Sequence, residues 1–330
     1  RTLASKALTM RRVHGLTPED SVLMPAPLAH VSGLLNGVLV PGVVAMKTVL
    51  MQRWSPEAAL DLVEREGVSF MVGPPTFFVG MMEAEGFSPE RVATLRLVSS
   101  GGAGVTAAFV ERAGERLGAL VKRTYGSTEA PTVTTSHAGD DPNRARTSDG
   151  RSTGDAELRV VDPATGAPRP VGEPGELWVR GPELCAGYLD AGATAEAFTD
   201  DGWFRTGDLA VVDADGWLTI VGRLKDVIIR GGENISASEV ESTLEAHPAV
   251  SQAVAVGMPD DRLGERVVAF VVASDPFDLE TCRAWFEERG VARFKTPERV
   301  EVVDALPLLA SGKPDRAALR SRLLGSPDTA

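Results

Sequence analysis

SPEAALDLVEREGVSFMVGPP, residues 55–75, decides how this chain folds. Ser55 has the side chain of a helix N-cap, Pro56 suits the first helical position, Glu57 complements the helix dipole, and Gly67 can close the far end. Residues 68–72 then read as a buried strand, stopped by Gly73-Pro74-Pro75. The same alternation continues downstream, with residues 76–85 helical, 95–98 extended, 106–117 helical and 120–124 extended. Helices alternating with short apolar strands predict a parallel sheet covered on both faces. In such sheets ligands bind beyond the carboxyl ends of the strands. Two segments fall at such ends: Ser99-Ser100-Gly101-Gly102-Ala103 and Tyr125-Gly126-Ser127-Thr128-Glu129.

Outward from this core the pattern changes twice. Between about residues 149 and 222 the helical period disappears, and short alternating runs at 157–161 and 176–179 are separated by turn signals at Asp162-Pro163, Glu173-Pro174-Gly175 and Asp215-Gly216. After Arg223 a helix over 238–245, strands near 253–256 and 267–272, a helix over 279–288 and a last helix from near Pro314 predict a compact α+β unit. The expected class is α/β: a parallel-sheet subdomain (1–148) and a small β-rich subdomain (149–224), followed by a small α+β carboxyl-terminal domain (225–330).

Composition narrows the function. The chain has 330 residues, 43% apolar, and a formal charge of -12. No Lys/Arg-rich run interleaved with aromatics occurs, which argues against a nucleic-acid surface. The acidic balance repels anions, so any phosphate ligand needs local cations, Mg²⁺ and backbone N–H groups. Cys185 and Cys282 have no redox or metal spacing, and neither do the four histidines. A reducing, cytoplasmic setting without a disulfide framework is therefore expected. Residues 31–46 are the most apolar stretch, but Asn36, Pro41 and glycines interrupt it, so no membrane span is expected. The sequence starts Arg1-Thr2-Leu3 without an initiating Met or signal peptide, and reads as the middle of a longer protein.

Several short segments carry chemistry. Tyr125 can stack on a purine, Gly126 lets backbone approach a phosphate, Thr128 can hydrogen-bond a phosphate oxygen, and Glu129 can hold Mg²⁺, although the same five residues also make an ordinary polar turn. Trp203-Phe204-Arg205-Thr206-Gly207-Asp208-Leu209 ends in an Asp suited to accepting from two ribose hydroxyls, or simply to a turn. Gly222-Arg223-Leu224-Lys225-Asp226 and Arg230-Gly231-Gly232-Glu233-Asn234 bracket an apolar run with charges and paired glycines, part of which a hairpin would explain. Leu309-Ala310-Ser311-Gly312-Lys313-Pro314-Asp315-Arg316 puts a lysine on a glycine-containing loop before a helix, as a transient phosphate stabiliser needs and as many solvated loop lysines also are.

In their order and spacing, from Pro27 to Arg316, these segments resemble the adenylate-forming superfamily of acyl-CoA synthetases, luciferases and peptide-synthetase adenylation domains. The resemblance implies an AMP-forming acid–CoA ligase using ATP, Mg²⁺ and coenzyme A. It places Gly101, Gly102, Ala103, Tyr125, Gly126 and Ser127 about the nucleotide, and Thr128 and Glu129 at the phosphates and Mg²⁺. Asp208 and Arg223 are placed on the ribose, and Lys313 in the adenylation transition state. It makes Lys225 the hinge, lines the pantetheine channel with Gly231, Gly232, Glu233 and Asn234, and makes His30, Ser99 and Gly126 walls of the acyl pocket.

One departure is large. The family's phosphate loop ending in Pro-Lys-Gly belongs just upstream of residue 1, so the 330 residues alone are expected not to complete adenylation. The walls near Val72-Gly73-Pro74-Pro75-Thr76, His30 and Ser99 are mostly apolar and carry no cation, which favours a fatty, alicyclic or aromatic monoacid. The surroundings of His30 are similar to those in cyclohexanecarboxylate-type and medium-chain ligases. Delivery to a carrier protein instead of CoA, a luciferase-like oxygenase and a non-catalytic nucleotide-binding remnant are the alternatives. The Pro307 to Lys313 spacing resembles the site that protein acetyltransferases modify in bacterial acyl-CoA synthetases.

Overall fold

The computed structural model describes residues 2–102, 104–309 and 312–325, and the chain divides into two compact units, Arg1–Ile220 and Val221–Ala330. The first unit is built on strands β1 (Ser21–Met24), β2 (Lys47–Leu50), β3 (Phe70–Gly73), β4 (Leu97–Gly101), β5 (Leu120–Tyr125), β6 (Thr134–Thr135) and β7 (Arg151–Ser152), ordered β2-β1-β3-β4-β5-β6-β7. β1 to β5 pair in parallel, and β6 and β7 continue the sheet antiparallel. Successive strand residues face opposite ways. Thus Leu23, Met71 and Val98 join one buried cluster with Leu60, Phe78 and Phe109, while Val22, Phe70 and Leu97 join another with Met10, Leu35 and Val40.

The local signals explain the crossovers. Ser55 Oγ accepts from Ala58 N at 3.3 Å, Pro56 opens helix Pro56–Glu66, and Gly67 ends it at φ 63°. Thr106 caps Ala107–Leu117 in the same way, with Gly118 at φ 62° beyond it. Helix Thr2–His14 and the helical run 31–44, which includes a π turn at Leu35–Leu39, were not legible as helices, because buried polar residues such as Lys6, His14 and Asn36 break their periodicity.

A second, antiparallel sheet in the order β11-β10-β9-β8 forms the expected β-rich part, from β8 (Glu157–Val161), β9 (Gly175–Arg180), β10 (Phe204–Val212) and β11 (Leu218–Arg223). It corrects one expectation. Helix Ala191–Ala197 interrupts the β-rich stretch, capped by Asp190 Oδ1 accepting from Ala193 N; it buries none of its residues, so no apolar period announces it. Among the described residues no helix is long and apolar enough to cross a membrane.

Asp20, just ahead of β1, ties together the amino-terminal ends of β1, β3 and β4 through Ser69 and Arg96. Burial works against its charge, but hydrogen bonds from Arg96, Ser69 and the Thr17 backbone overcome that and hold its pKa at about 2. A carboxylate whose folded pKa lies below its unfolded value stabilises fully above about pH 4, and that contribution is lost as pH falls toward the folded pKa. Asp20→Asn is therefore expected to lose less stability than the parent chain between about pH 4 and pH 2. Urea unfolding across that window checks it, and parallel losses in the two proteins would refute it.

The second unit comprises β12 (Val227–Arg230), β13 (Glu233–Ser236), β14 (Val250–Asp260), β15 (Gly264–Ala273) and β16 (Arg299–Val302), ordered β13-β12-β15-β14 with β16 parallel to β15. Ala253 and Ala255 face the cluster that holds Val240, Leu244 and Phe286, from helices Ala237–Glu245 and Leu279–Glu288. Val254 and Val256 face Leu319 and Leu323 of helix Arg316–Gly325. Arg230 pairs with Glu233, so Gly231 and Gly232 form a two-residue hairpin turn at φ 59° and 88°, a conformation that side chains resist.

Candidate active site

The exits of β4 and β5 lie side by side because Gly101 pairs with Thr124. A Cβ on Gly101 would sit 2.2 Å from Thr124 O, so the strands approach as only glycine permits. Gly102 follows at φ 78°, and Ala103 lies outside the described residues. Ser99 is buried, its hydroxyl 2.5 Å from Thr124 Oγ1, which donates to Thr135 Oγ1 at 3.1 Å. Arg123 forks onto both oxygens of buried Asp149, which also accepts from Ile220 N at 2.8 Å. Burial raises the Asp149 pKa, opposed by Arg123 and the Ile220 N–H. That pair fixes the end of β5 directly before Tyr125.

Tyr125 OH donates to Asp208 Oδ2 at 2.7 Å, joining residues 83 apart in sequence. Asp208 is 5% exposed and sits where β10 slips register between Arg205 and Leu209, with Gly207 at φ 69°. Such a bulge re-aims a side chain out of the regular ladder. Gly126 is packed tightly, since a Cβ there would lie 2.4 Å from Thr132 N. Ser127 closes a turn on Ala130, donating from its N–H to Ala130 O at 3.0 Å and accepting from Ala130 N on Oγ at 3.2 Å. Thr128 is exposed at the tip of that turn.

Glu129 is held twice. Its carbonyl accepts from Cys185 N at 2.7 Å, and its Oε1 accepts from Tyr188 OH at 2.7 Å. Burial, and then the Glu129 carboxylate, push the Tyr188 phenol up to about 12, so it stays protonated and donating. Tyr188 was missed at the sequence level. The signal was there: the chain has two tyrosines, and both donate to carboxylates of this cluster.

The donor chemistry fits Mg²⁺ carried on a nucleotide. Such an ion takes one or two protein carboxylates beside phosphate oxygens and water, and needs no all-protein cage. Glu129 supplies one carboxylate, and among the described residues no group of three or more His, Cys, Asp or Glu side chains could hold a metal by itself.

His30 serves as the N-cap of helix Val31–Leu34, its Nδ1 accepting from Ser32 N at 3.1 Å. The remaining expected residues belong to the second unit. Arg223 ends β11 and Lys225 lies in the exposed turn Leu224–Asp226. Gly231, Gly232, Glu233 and Asn234 form the exposed hairpin tip. Lys313 sits on a narrow loop closed by Leu309 N donating to Lys313 O and Asp315 N donating to Pro307 O, each at 2.8 Å. Behind the loop Arg316 donates to Ala255 O at 2.8 Å and to Glu241 Oε2 at 2.9 Å.

Comparison with known proteins adds an independent line. Residues 1–189 match the family model described as AMP-binding enzyme, and residues 239–313 match that of the AMP-binding enzyme C-terminal domain. The chain is 36% identical over 326 residues to the medium-chain fatty-acid–CoA ligase of Escherichia coli, covering 98% of this chain and 57% of that protein. It is 38% identical over 319 residues to the 2-hydroxy-7-methoxy-5-methyl-1-naphthoate–CoA ligase of Streptomyces carzinostaticus, covering 94% and 56%. The crystal structure of ATP-bound MatB from Rhodopseudomonas palustris superposes with a TM-score of 0.88 at 31% identity, covering 98% of this chain and 64% of that one. The chain thus spans less than two thirds of each of these relatives.

Proposed function

We propose, from the premise that this chain belongs to the AMP-binding enzyme family, that it is part of an AMP-forming carboxylic acid–CoA ligase. The observation that carries this reading is the Tyr125 to Asp208 hydrogen bond beside the Gly101 and Gly102 strand exit. An aromatic face and a buried carboxylate are held together there, at the place where an open sheet receives a nucleotide. Tyr125, Gly101 and Gly102 border the adenine, Asp208 accepts from the ribose hydroxyls while Arg223 donates to the ribose, and Ser127, Thr128 and Glu129 face the phosphates. Glu129 would hold Mg²⁺, which would supply positive charge against the phosphates.

A carboxylate is a poor acylating agent because oxide leaves poorly, whereas AMP leaves readily from a mixed anhydride. The acid oxygen attacks the α-phosphorus in line and pyrophosphate departs, while Lys313 offsets the charge that builds on the transferring group. The CoA thiol then attacks the acyl carbonyl and AMP leaves. The two steps need different surroundings, so the second unit turns about Lys225, withdrawing Lys313 and bringing Gly231, Gly232, Glu233 and Asn234 to the pantetheine arm. His30, Ser99 and Gly126 border the acid, for which we favour a fatty, alicyclic or aromatic monoacid in a cytoplasmic enzyme. The names of the Escherichia coli and Streptomyces relatives support that class. Acetylation of Lys313 by a protein acetyltransferase would remove the charge the first step needs.

The test is a panel of acids with ATP, Mg²⁺ and CoA, read as pyrophosphate release and as acyl-CoA by mass spectrometry. Thioester from at least one monoacid is expected of the enzyme that contains this chain. Tight binding of a non-hydrolysable acyl-AMP mimic without turnover of any acid would favour a nucleotide-binding remnant instead. Tyr188→Phe removes the charge-assisted hydrogen bond to Glu129, and MgATP affinity is expected to fall about tenfold, since such bonds contribute about 1.5 kcal/mol or more. Titration calorimetry checks this, and an unchanged Kd would detach Tyr188 from the site.

A further inference from the structure

Lys6 has no role in the reading above, yet it is among the most buried large side chains of the molecule, 1% exposed in the middle of helix Thr2–His14. Its Nζ donates to Thr132 O and to Thr153 Oγ1, each at 3.0 Å, and it forms an ion pair with Glu183. Burial pulls its pKa below the ordinary lysine value, with Glu183 working in the other direction. A buried ion pair is seldom more stabilising than the apolar side chains that could replace it. What distinguishes this one is the position of the groups it holds.

Thr132 stands at φ 48°, a left-handed conformation that is costly for a β-branched residue and persists only where the surroundings impose it. Its backbone nitrogen fills the space where a Gly126 Cβ would be, at 2.4 Å, so the position of Thr132 sets that of the strand exit after Tyr125. At the other end of the pair, Glu183 opens the segment that grips Glu129, through Cys185 N on the Glu129 carbonyl and Tyr188 OH on its carboxylate. Lys6 therefore joins the two supports between which the turn at residues 127–130 is suspended.

We propose that Lys6 and Glu183 are positioning residues for the nucleotide phosphates: a buried strut that spaces Thr132 from the Glu183 to Tyr188 segment and so holds Thr128 and Glu129 in place. The inference rests on the nucleotide-binding reading of that turn. It assigns the strut to the phosphate end of the ligand, because the groups it holds flank the turn at residues 127–130, whereas Gly101 and Asp208 are held by their own partners Thr124 and Tyr125.

The test is titration calorimetry on the full chain with MgATP and, separately, adenosine, alongside thermal melting. Lys6→Met leaves the Glu183 carboxylate buried without its cation, so the decisive variant is Lys6→Met with Glu183→Met, which removes both charges. It is expected to melt close to the parent chain while its MgATP Kd rises about tenfold and its adenosine Kd changes by less than about twofold. Thr153→Val, which deletes a hydroxyl bonded to both Lys6 and Thr132 and leaves the ion pair, keeps the test open if the double variant does not fold, with about a threefold rise for MgATP expected. Equal weakening of both ligands, or an unchanged MgATP Kd in a folded variant, overturns the strut. A parent chain that binds neither ligand removes the nucleotide reading itself, and the strut with it.

Discussion

Lys313→Ala is expected to slow acyl-adenylate formation about a thousandfold while leaving thioester formation from supplied acyl-AMP within about threefold, the size of effect seen when one preorganised donor to a developing charge is removed. The asymmetry follows from chemistry. On the proposed reading, negative charge accumulates on the α-phosphoryl group only while the acid oxygen attacks, and the Lys313 ammonium would offset it there. In the second half-reaction the acyl carbonyl is attacked by a thiolate and AMP departs, with no need for that ammonium. The loop suits the task, since Leu309 N on Lys313 O and Asp315 N on Pro307 O narrow it, and Arg316 plants its base on Glu241 and Ala255. Single-turnover rates for the two half-reactions, measured separately on the enzyme that contains this chain, decide the matter. Equal losses in both would remove Lys313 from the first step.

Gly101→Ala is expected to destabilise the first unit by about 3 kcal/mol, with nucleotide affinity lost alongside, because overpacking against atoms that cannot move carries that order of cost. The new methyl would stand 2.2 Å from Thr124 O and 3.1 Å from Thr124 C, both backbone atoms of the adjacent strand. No rotamer change can relieve this. β4 and β5 must part at the point where Ser99 meets Thr124 and where Tyr125 turns toward Asp208. Chemical unfolding and MgATP titration read the two effects. A Gly101→Ala chain with parental stability would show that the strand exits are less constrained than their spacing implies.

Where local rules were in charge, the sequence was a sufficient guide. Ser55, Pro56 and Gly67 marked helix Pro56–Glu66 from end to end, and the helix expected over 279–288 is found at Leu279–Glu288 in the second unit. The strand exits at Gly101 and Tyr125 followed from those units, and with them the candidate site. What failed were elements defined by distant partners. Helix Thr2–His14 buries Lys6 and His14, polar residues that leave no apolar period to read, and Ala191–Ala197 carries no apolar stripe because it buries nothing. Within the site, the pairing of Tyr125 with Asp208 and of Glu129 with Tyr188 spans 83 and 59 residues, and no periodicity encodes contacts of that kind.

The pairing pattern of the two units also predicts the order in which they form. β14 and β15 are neighbours in sequence and zip along nearly their whole length, Val250 with Ala273 through Asp260 with Gly264, so the second unit nucleates on a short loop. The parallel strands of the first unit must each close a long crossover before gaining a hydrogen bond, a slower search. During synthesis the slower first unit leaves the ribosome ahead of the second, and its apolar strands are expected to wait in the open for partners. Yield on expression will therefore be governed by the first unit and by the chaperones that shield it.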